Sequence, residues 1–320
     1  TFEKGDSAAV EVAFSNAAHI VKHRVCVNRV TGNPMENRGC IAEYDPFEDR
    51  YTLRATVQSV HGIRASIAGQ IFGIPQTDLR VICDNMGGGF GTKGWQYAEH
   101  RLVLWAARKL GRPVKWASTR SEAVQADEHG RDNVTEAELA FDKNGIVVGL
   151  RVNTIANIGA YLSAIRNLLA VFTNVGTLTG VYNIPAAHAS VRTVHSNTNP
   201  TAPYRGAGRP EAVYVVERLL DIAADEIGID PVEIRNRNYI TKDKMPFTTL
   251  IPTVYDSGDF AGITEHAAEI TDLAGFEKRK EESAARGKLR GIGTCSFIDF
   301  ASPFNDRMEI RFDDTGAVTV

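Results

Sequence analysis

The feature that constrains this chain most is a glycine-rich stretch at Asn85–Lys93, which reads N-M-G-G-G-F-G-T-K. It follows a β-rich run at Leu79–Cys83 and precedes an amphipathic run from Trp95 to Leu110. Four glycines in five residues let the backbone approach another group closely, because no side chains stand in the way. A loop between a strand and a helix is also expected to present free N–H groups at the helix start.

The standard nucleotide-binding motifs do not match this loop. A P-loop ends in G-K-[ST], whereas here the lysine follows Thr92 and precedes Gly94. Counted from Gly87, the dinucleotide fingerprint G-x-G-x-x-G also fails, because Thr92 takes the place of its third glycine. A second glycine-rich loop, Tyr204–Glu211, fails in the same way, with Glu211 at that position. Nucleotide binding in a standard mode is therefore disfavoured.

The two glycine-rich loops share a design. Each is expected to abut the start of a long helix, and polar side chains lie within reach of both, Gln58 for the first and Arg205 for the second. If the loops converge, they would present donors to an oxygen-rich or anionic group from two sides. The alternative is that both are tight turns that close strand–helix junctions.

The sequence predicts an α+β fold in which mixed β-sheets pack against helices. Helical and β-like segments follow one another without the strict βα alternation of a doubly wound sheet. β-like patterns include residues 8–14 and the two runs around Asp142–Gly145, where Asn-Gly indicates a hairpin. The clearest helix begins near Pro210, is apolar along one side and stops at Gly228.

Three regions are expected along the chain. Residues 1–240 form a first module, and the mostly polar residues 241–287 form a helical connector. A further β-rich module is expected at 288–320, with strands at Leu289–Ile298, Arg307–Phe312 and Val318. Because both ends of the sequence look cut, we expect a fragment of a longer polypeptide, with the last module truncated.

Charge and residue spacing argue against several classes of function. The net charge of -3 provides no basic surface for a nucleic acid, and no apolar run reaches the about 18 residues of a membrane span. His19 and His23 have no third ligand spaced to join them, so no metal site built from protein side chains is predicted. A Ser/His/Asp triad stays open, although no G-x-S-x-G elbow is present. The widely spaced cysteines indicate reduced thiols and a cytoplasmic protein.

Short segments in residues 1–240 carry more information together than either loop alone. In chain order they are Phe2–Asp6, Met35–Gly39, Thr56–Gln58, Gly87–Lys93, Gly111–Trp116, Thr119–Glu122, Gly159–Tyr161, Tyr204–Glu211 and Asp230–Asn238. This ordered series resembles the molybdopterin-binding subunit of the xanthine dehydrogenase/aldehyde oxidase/aerobic carbon monoxide dehydrogenase family. By this resemblance, 1–240 is a first molybdopterin-binding module and 288–320 is the start of a second.

The resemblance implies part of a molybdenum hydroxylase, an oxidoreductase that inserts a water-derived oxygen at an electron-poor carbon of an aldehyde or N-heterocycle. Its cofactor is molybdopterin with molybdenum, and the cytosine dinucleotide form stays open. The dithiolene of the pterin holds the metal, so the protein supplies positioning and hydrogen bonds. The implied partners are a [2Fe-2S] iron–sulfur subunit or domain and an FAD component in a hetero-oligomer, with a small organic substrate.

The same resemblance assigns roles to individual residues. It places Gln58 beside an oxygen ligand of molybdenum and the Phe90–Gly91 backbone against the face of the metal ligands. It places Arg205 on the loop that lines the substrate side. Gln58 and Arg205 are thus the implied catalytic residues. The implied cofactor contacts are Gln58, Gly89, Phe90, Gly91, Arg205 and Gly206.

Two departures from the family narrow the expected chemistry. Xanthine-oxidising members carry a Glu after the Lys of the first loop, where this chain has Gly94, and a second substrate-orienting Arg near Ala164. These differences argue against purine hydroxylation. Copper-containing carbon monoxide dehydrogenases carry a Cys after the Tyr-Arg of the second loop, where this chain has Gly206, so no copper is expected. The loop instead resembles that of relatives without this Cys and of N-heterocycle hydroxylases.

The general base of the family is a Glu near the C-terminus of a longer subunit. No Glu of this chain can be carried over to that role, so the chain alone is expected to be incomplete and inactive. The alternative is a member of the same fold that has lost its cofactor and serves as a binding or scaffold module. A hydrolase or binding protein with coincidental glycine-rich loops is the remaining interpretation.

Overall fold

The computed structural model describes residues 1–251, 253–299 and 308–319. Its strands are β1 (Phe2–Gly5), β2 (His19–Thr31), β3 (Gly39–Asp45), β4 (Arg50–Ala55), β5 (Leu79–Ile82), β6 (Val114–Ala117), β7 (His129–Phe141), β8 (Val147–Asn157), β9 (Ala187–Val194), β10 (Phe247–Thr248), β11 (Val254–Tyr255), β12 (Arg311–Phe312) and β13 (Val318–Thr319). Its α-helices are α1 (Ser7–Ser15), α2 (Val60–Ala65), α3 (Ala98–Leu110), α4 (Arg120–Ala126), α5 (Leu169–Gly176), α6 (Arg209–Ile227), α7 (Pro231–Asn238), α8 (Phe260–Ile270) and α9 (Phe276–Ala284). A π-helical segment, Ser66–Phe72, continues α2.

The larger layer is a five-stranded sheet with the strand order β1-β9-β8-β7-β2. β7 and β8 form an antiparallel hairpin, and its turn lies at Asp142–Gly145, as the Asn-Gly pair predicts. The Asp142 N–H donates to the Ile146 carbonyl at 2.8 Å, and Gly145 has a φ of +77°. That left-handed backbone favours glycine, which explains why this short turn forms here.

Helix α6 packs on this sheet and carries the second glycine-rich loop at its N-terminus. Val216 and Leu220 on its apolar side are buried in the same cluster as the inward residues of β7, β8 and β9. Pro210 lies in the first turn, and Gly228 ends the helix with a φ of +77°. Both boundary signals in the sequence are confirmed, and they place the second loop at one end of a rigid element.

A buried ion network fixes α6 to α7. Arg235 of α7 is fully buried, and its guanidinium donates to Glu217 and Asp221 of α6, both at 2.8 Å. Burial raises the pKa of Glu217 although Arg235 opposes that change. A buried cation with two carboxylate partners holds a helix pair in one geometry, because every alternative leaves a charge unpaired.

The smaller layer is a four-stranded sheet with the order β5-β4-β3-β6, and α2 and α3 pack on it. Leu53, Ile63 and Leu104 are fully buried in this second core. α3 ends at Gly111 with a φ of +62°, as predicted. The predicted start at Trp95 is too early, because residues before Ala98 still belong to the turns that follow the first glycine-rich loop.

The α+β class is confirmed, whereas two predicted strands are wrong. Residues 8–14 belong to helix α1, in which Val10 and Phe14 are buried on one side and the Asp6 side chain caps the N-terminus. Leu289–Ile298 contains no strand, while β12 and β13 pair with each other. Of the predicted strand Arg307–Phe312, residue 307 lies outside the described residues. The boundaries 1–240, 241–287 and 288–320 stay a prediction.

Candidate functional site

The two glycine-rich loops meet. The N–H of Arg205 in the second loop donates to the carbonyl oxygen of Phe90 in the first, at 3.0 Å. A Cβ on Gly91 would lie only 1.9 Å from the carbonyl oxygen of Pro203, and Gly91 has a φ of +99°. Glycine is therefore required at this point by both the contact and the backbone. The convergence on which the sequence argument depends is present.

Gln58 lies between β4 and α2 and joins this junction. Its Oε1 accepts the Gly91 N–H at 2.8 Å, and its own N–H donates to the Lys93 carbonyl at 3.0 Å. A Cβ on Gly89 would lie 2.5 Å from the same Oε1, so the glycine makes room for the amide. Because Oε1 is committed to Gly91, the amide nitrogen of this exposed side chain remains as a donor for a ligand.

Backbone donors at the tip of the first loop have no acceptor among the residues that the structure describes. Within residues 1–251, 253–299 and 308–319, nothing accepts the N–H groups of Gly88, Gly89 and Phe90. Phe90 has a φ of +54°, and its side chain is 44% exposed. A left-handed residue other than glycine persists only where its surroundings hold it. The tip thus offers fixed N–H donors that oxygen atoms of a ligand would satisfy.

Arg205 and Gly206 line a cavity of about 570 Å³ between the second loop, α6 and residues 294–299. Apolar side chains such as Val213 and Phe297 form much of its wall. The Arg205 side chain is exposed, and in the described part of the chain no carboxylate pairs with it. Its guanidinium is therefore a donor for a small molecule in this cavity.

Lys93 and Glu36 close the first loop with an ion pair that the sequence did not reveal. Lys93 is 1% exposed, and its Nζ lies 2.8 Å from Glu36 Oε2. The same oxygen accepts the Gly87 N–H at 2.8 Å, so one carboxylate holds both ends of the loop. Burial opposes ionisation of Glu36, but the hydrogen bonds from Lys93 and Gly87 outweigh it and lower its pKa.

Arg166 is a second buried cation behind the first loop. Its Nη1 donates to the Gly91 carbonyl at 3.0 Å, and its Nη2 pairs with Glu128. Burial lowers the pKa of Arg166. A Cβ on Gly94 would lie 3.1 Å from Arg166 Nη1. Ala164 stands near the position where xanthine-oxidising members carry a second arginine. Arg166, two residues later, places a guanidinium on this side of the first loop, which the sequence comparison missed.

Arg131 lies behind the second loop, and no sequence signal singles it out either. Its Nη1 donates to the Tyr204 carbonyl at 3.0 Å and its Nη2 to the Arg205 carbonyl at 2.8 Å. The buried carboxylate of Glu211 lies 3.4 Å from Nη1. Burial raises the pKa of Glu211, and Arg131 opposes that change.

The described residues contain neither a cluster of side chains suited to a metal ion nor a membrane-spanning helix. Across the ranges that the structure describes, no group of three or more His, Cys, Asp or Glu residues could hold a metal ion. In the same ranges no helix combines the length and apolar character that crossing a membrane requires.

Known proteins share both the sequence pattern and the fold. A family model described as the molybdopterin cofactor-binding domain matches residues 1–239. The carbon monoxide dehydrogenase large chain of Hydrogenophaga pseudoflava is 34% identical, over 99% of this chain and 42% of its own length. The 6-hydroxypseudooxynicotine dehydrogenase complex subunit gamma of Paenarthrobacter nicotinovorans is 34% identical, over 91% and 37%. Quinoline 2-oxidoreductase from Pseudomonas putida 86 superposes with a TM-score of 0.83 at 29% identity, over 89% and 36%.

The chain thus spans less than half the length of each of these relatives. Two of them are named as a large chain and as a subunit of a complex. The relatives are therefore components of multi-subunit enzymes.

Proposed function

The chain belongs to the molybdopterin cofactor-binding domain family, and from that premise we propose that it is part of a molybdenum hydroxylase. The enzyme inserts a water-derived oxygen at an electron-poor carbon of an aldehyde or an N-heterocycle. The observation that carries this proposal is the junction of the two loops, in which the Arg205 N–H reaches the Phe90 carbonyl at 3.0 Å. The family resemblance based on the motifs is confirmed by the match over residues 1–239.

The group that this junction would hold is molybdopterin with molybdenum. The residues fit such a group, because the N–H groups at the loop tip have no acceptor within the described ranges and Gly89 leaves room for the Gln58 amide beside them. When bound, the cofactor takes up two electrons from the substrate. The proposed contacts are Gln58, Gly89, Phe90, Gly91, Arg205 and Gly206.

Two side chains act on the bound molecules. Gln58 donates its amide N–H to an oxygen of the cofactor, since its Oε1 is held by Gly91 at 2.8 Å. Arg205 donates from its guanidinium to an acceptor atom of the substrate and so orients the carbon that is attacked. The apolar wall of the cavity next to Arg205 excludes water around the substrate.

The general base comes from another part of the complete protein. Each of three glutamates near the loops is already paired with a cation: Glu36 with Lys93, Glu128 with Arg166, and Glu211 with Arg131. A carboxylate held by a buried cation is fixed in that pair and is not available to take a proton from water. We therefore expect this chain alone to be inactive.

Copper is not part of the proposed site. Gly206 provides no thiol at the position where copper-containing relatives carry a Cys. Cys295 lines the same cavity, but it lies on the segment 294–299 and not on the loop that carries the Cys in those relatives.

The complete enzyme is a cytoplasmic hetero-oligomer in this proposal. Its other components are a [2Fe-2S] iron–sulfur subunit and an FAD subunit or domain, which carry the electrons away from the pterin. The relatives named as a large chain and a complex subunit support such an assembly. The net charge of -3 favours a small organic substrate over a nucleic acid.

Metal and pterin analysis of the complex purified from its native host tests this proposal. We expect stoichiometric molybdenum and pterin in the wild-type complex and loss of most of both in Gln58→Leu. Gln76→Leu is the matched control, because Gln76 is exposed in a short 3-10 segment away from the loops and should retain both. A complete complex without molybdenum or pterin would instead support the cofactor-free scaffold.

A further inference from the structure

We propose that Arg131 is a positioning residue that sets the place of Arg205. The inference rests on the proposed function, in which Arg205 contacts the substrate. It concerns how the backbone of the second loop is held, and the observations that carry it are the contacts, the backbone and the burial of Arg131.

The Arg131 guanidinium binds two successive carbonyl groups of the second loop. Nη1 reaches Tyr204 at 3.0 Å and Nη2 reaches Arg205 at 2.8 Å. Its carbon also lies 4.9 Å from the centre of the Tyr204 ring, within the range of a cation–π contact. A planar fork that engages two carbonyl groups fixes the direction of the backbone, whereas a single donor fixes only a distance.

The backbone that presents this guanidinium is held in an uncommon conformation. Arg131 and Asp132 are successive residues of β7, and they have φ values of +64° and +70°. Asp132 Oδ2 accepts hydrogen bonds from Arg29 at 2.8 Å and from Asn157 at 2.9 Å. Left-handed residues other than glycine cluster where strain serves a site. Here the strain lies beside a loop that carries a proposed substrate contact.

Glu211 holds the guanidinium from its other side. It is 3% exposed in the first turn of α6, and its Oε2 lies 3.4 Å from Arg131 Nη1. Both residues line a cavity of about 30 Å³, enough for a single water molecule. No hydrogen bond to that Oε2 is present among the described residues, so such a water would join the carboxylate to the network.

The backbone of Arg205 is therefore held at both its N–H and its carbonyl group. Its N–H is bound to Phe90 at 3.0 Å, and its carbonyl to Arg131 at 2.8 Å. With the backbone fixed on both sides, only the side chain of Arg205 remains free to adjust to a substrate. Such preorganisation keeps a contact residue within reach of its productive geometry.

Hydrogen exchange of the purified native complex, followed by mass spectrometry, tests the inference. In Arg131→Gln we expect the amides of residues 204–208 to exchange at least about tenfold faster, because each lost charge-assisted hydrogen bond corresponds to such a factor. Arg151→Gln is the matched control. Arg151 lies on β8 of the same sheet, its side chain is 27% exposed and its Nε donates to Glu138 at 2.6 Å, so it is a paired arginine whose partners do not include Tyr204, Arg205 or Asp132.

Arg131→Lys keeps the cation beside Glu211 but offers one donor group in place of the fork, so an intermediate acceleration confined to residues 204–208 is expected. This variant also decides the question if Arg131→Gln does not assemble. Exchange of wild-type rate in Arg131→Lys would then overturn the inference. It would equally be overturned if Arg131→Gln and Arg151→Gln gave the same exchange pattern.

The electron paramagnetic resonance signal of Mo(V) separates positioning from a merely structural role. Arg131→Gln is expected to change this signal at unchanged molybdenum content, and Arg151→Gln is expected to leave it unchanged. Faster exchange without a change in the signal would reduce Arg131 to a structural residue and overturn the inference. A complex without molybdenum would refute the proposed function instead, while the exchange measurement would still decide whether Arg131 holds the loop.

Discussion

Gly91→Ala is the substitution that tests the junction of the two loops most directly. The new Cβ would lie 1.9 Å from the Pro203 carbonyl oxygen, where ordinary contact begins at 3.4 Å. The oxygen is a backbone atom and the Cβ is bonded directly to the backbone, so neither can rotate away. The loops must separate, and the alanine must also adopt a φ of +99° or force a change in the chain.

Two costs add up in this variant. A left-handed backbone costs an alanine about 1–2 kcal/mol relative to glycine. Separating the loops also breaks the bonds from Arg205 to Phe90 and from Gly91 to Gln58, each with a net contribution of about 1 kcal/mol. We therefore expect Gly91→Ala to lower the free energy of unfolding by roughly 3–4 kcal/mol.

Urea unfolding followed by circular dichroism measures this change, with Gly73→Ala as the control. Gly73 also has a left-handed backbone, with a φ of +66°, but a Cβ at this residue would have no atom within 4 Å. It should therefore show the backbone cost alone, about 1–2 kcal/mol. Equal destabilisation of Gly91→Ala and Gly73→Ala would refute the contact between the loops.

The remaining predictions concern two buried titratable side chains, His100 and Lys93. Burial lowers the pKa of His100 from 6.5 to about 4, so its contribution to stability is present above pH 6.5 and is lost as the pH falls toward 4, by roughly 3 kcal/mol. His100→Gln should flatten this part of a urea midpoint-versus-pH profile, and an unchanged slope would contradict the assignment. Glu36→Ala should cost about 3 kcal/mol because it strands a buried Lys93 ammonium, whereas Lys93→Met should cost only about 1 kcal/mol, since Glu36 is 39% exposed and can hydrate. Urea unfolding checks this order, and the reverse order would contradict it.

Local signals in the sequence predict the elements that depend on local chemistry. The Asn-Gly turn at Asp142–Gly145 and the boundaries of α6 at Pro210 and Gly228 follow from backbone preferences of single residues, and the structure has them. The strand prediction at residues 8–14 fails because apolar residues with two-residue spacing also satisfy a short helix. The Asp6 cap is the signal that favours the helix there.

The candidate site is predictable only in part, for a different reason. Glycine-rich loops are visible in a sequence because their backbone requirement is local. The cations behind them are not, since Lys93, Arg131 and Arg166 each find their carboxylate and carbonyl partners only through the tertiary fold. From sequence alone, a charged residue in a polar stretch is predicted to be exposed to solvent, and only the packing of the two layers shows that it is buried.

The bond between Phe90 and Arg205 also bears on the order of events during synthesis. It joins the loop that follows β5 of the four-stranded sheet to the loop that precedes α6, so it closes only after both layers have formed and met. Contacts between distant segments form late, because the entropy of closing a long loop must be met first. A nascent chain therefore has no cofactor cradle, and we expect loading to follow folding, with a preformed apoprotein as the species that receives the pterin.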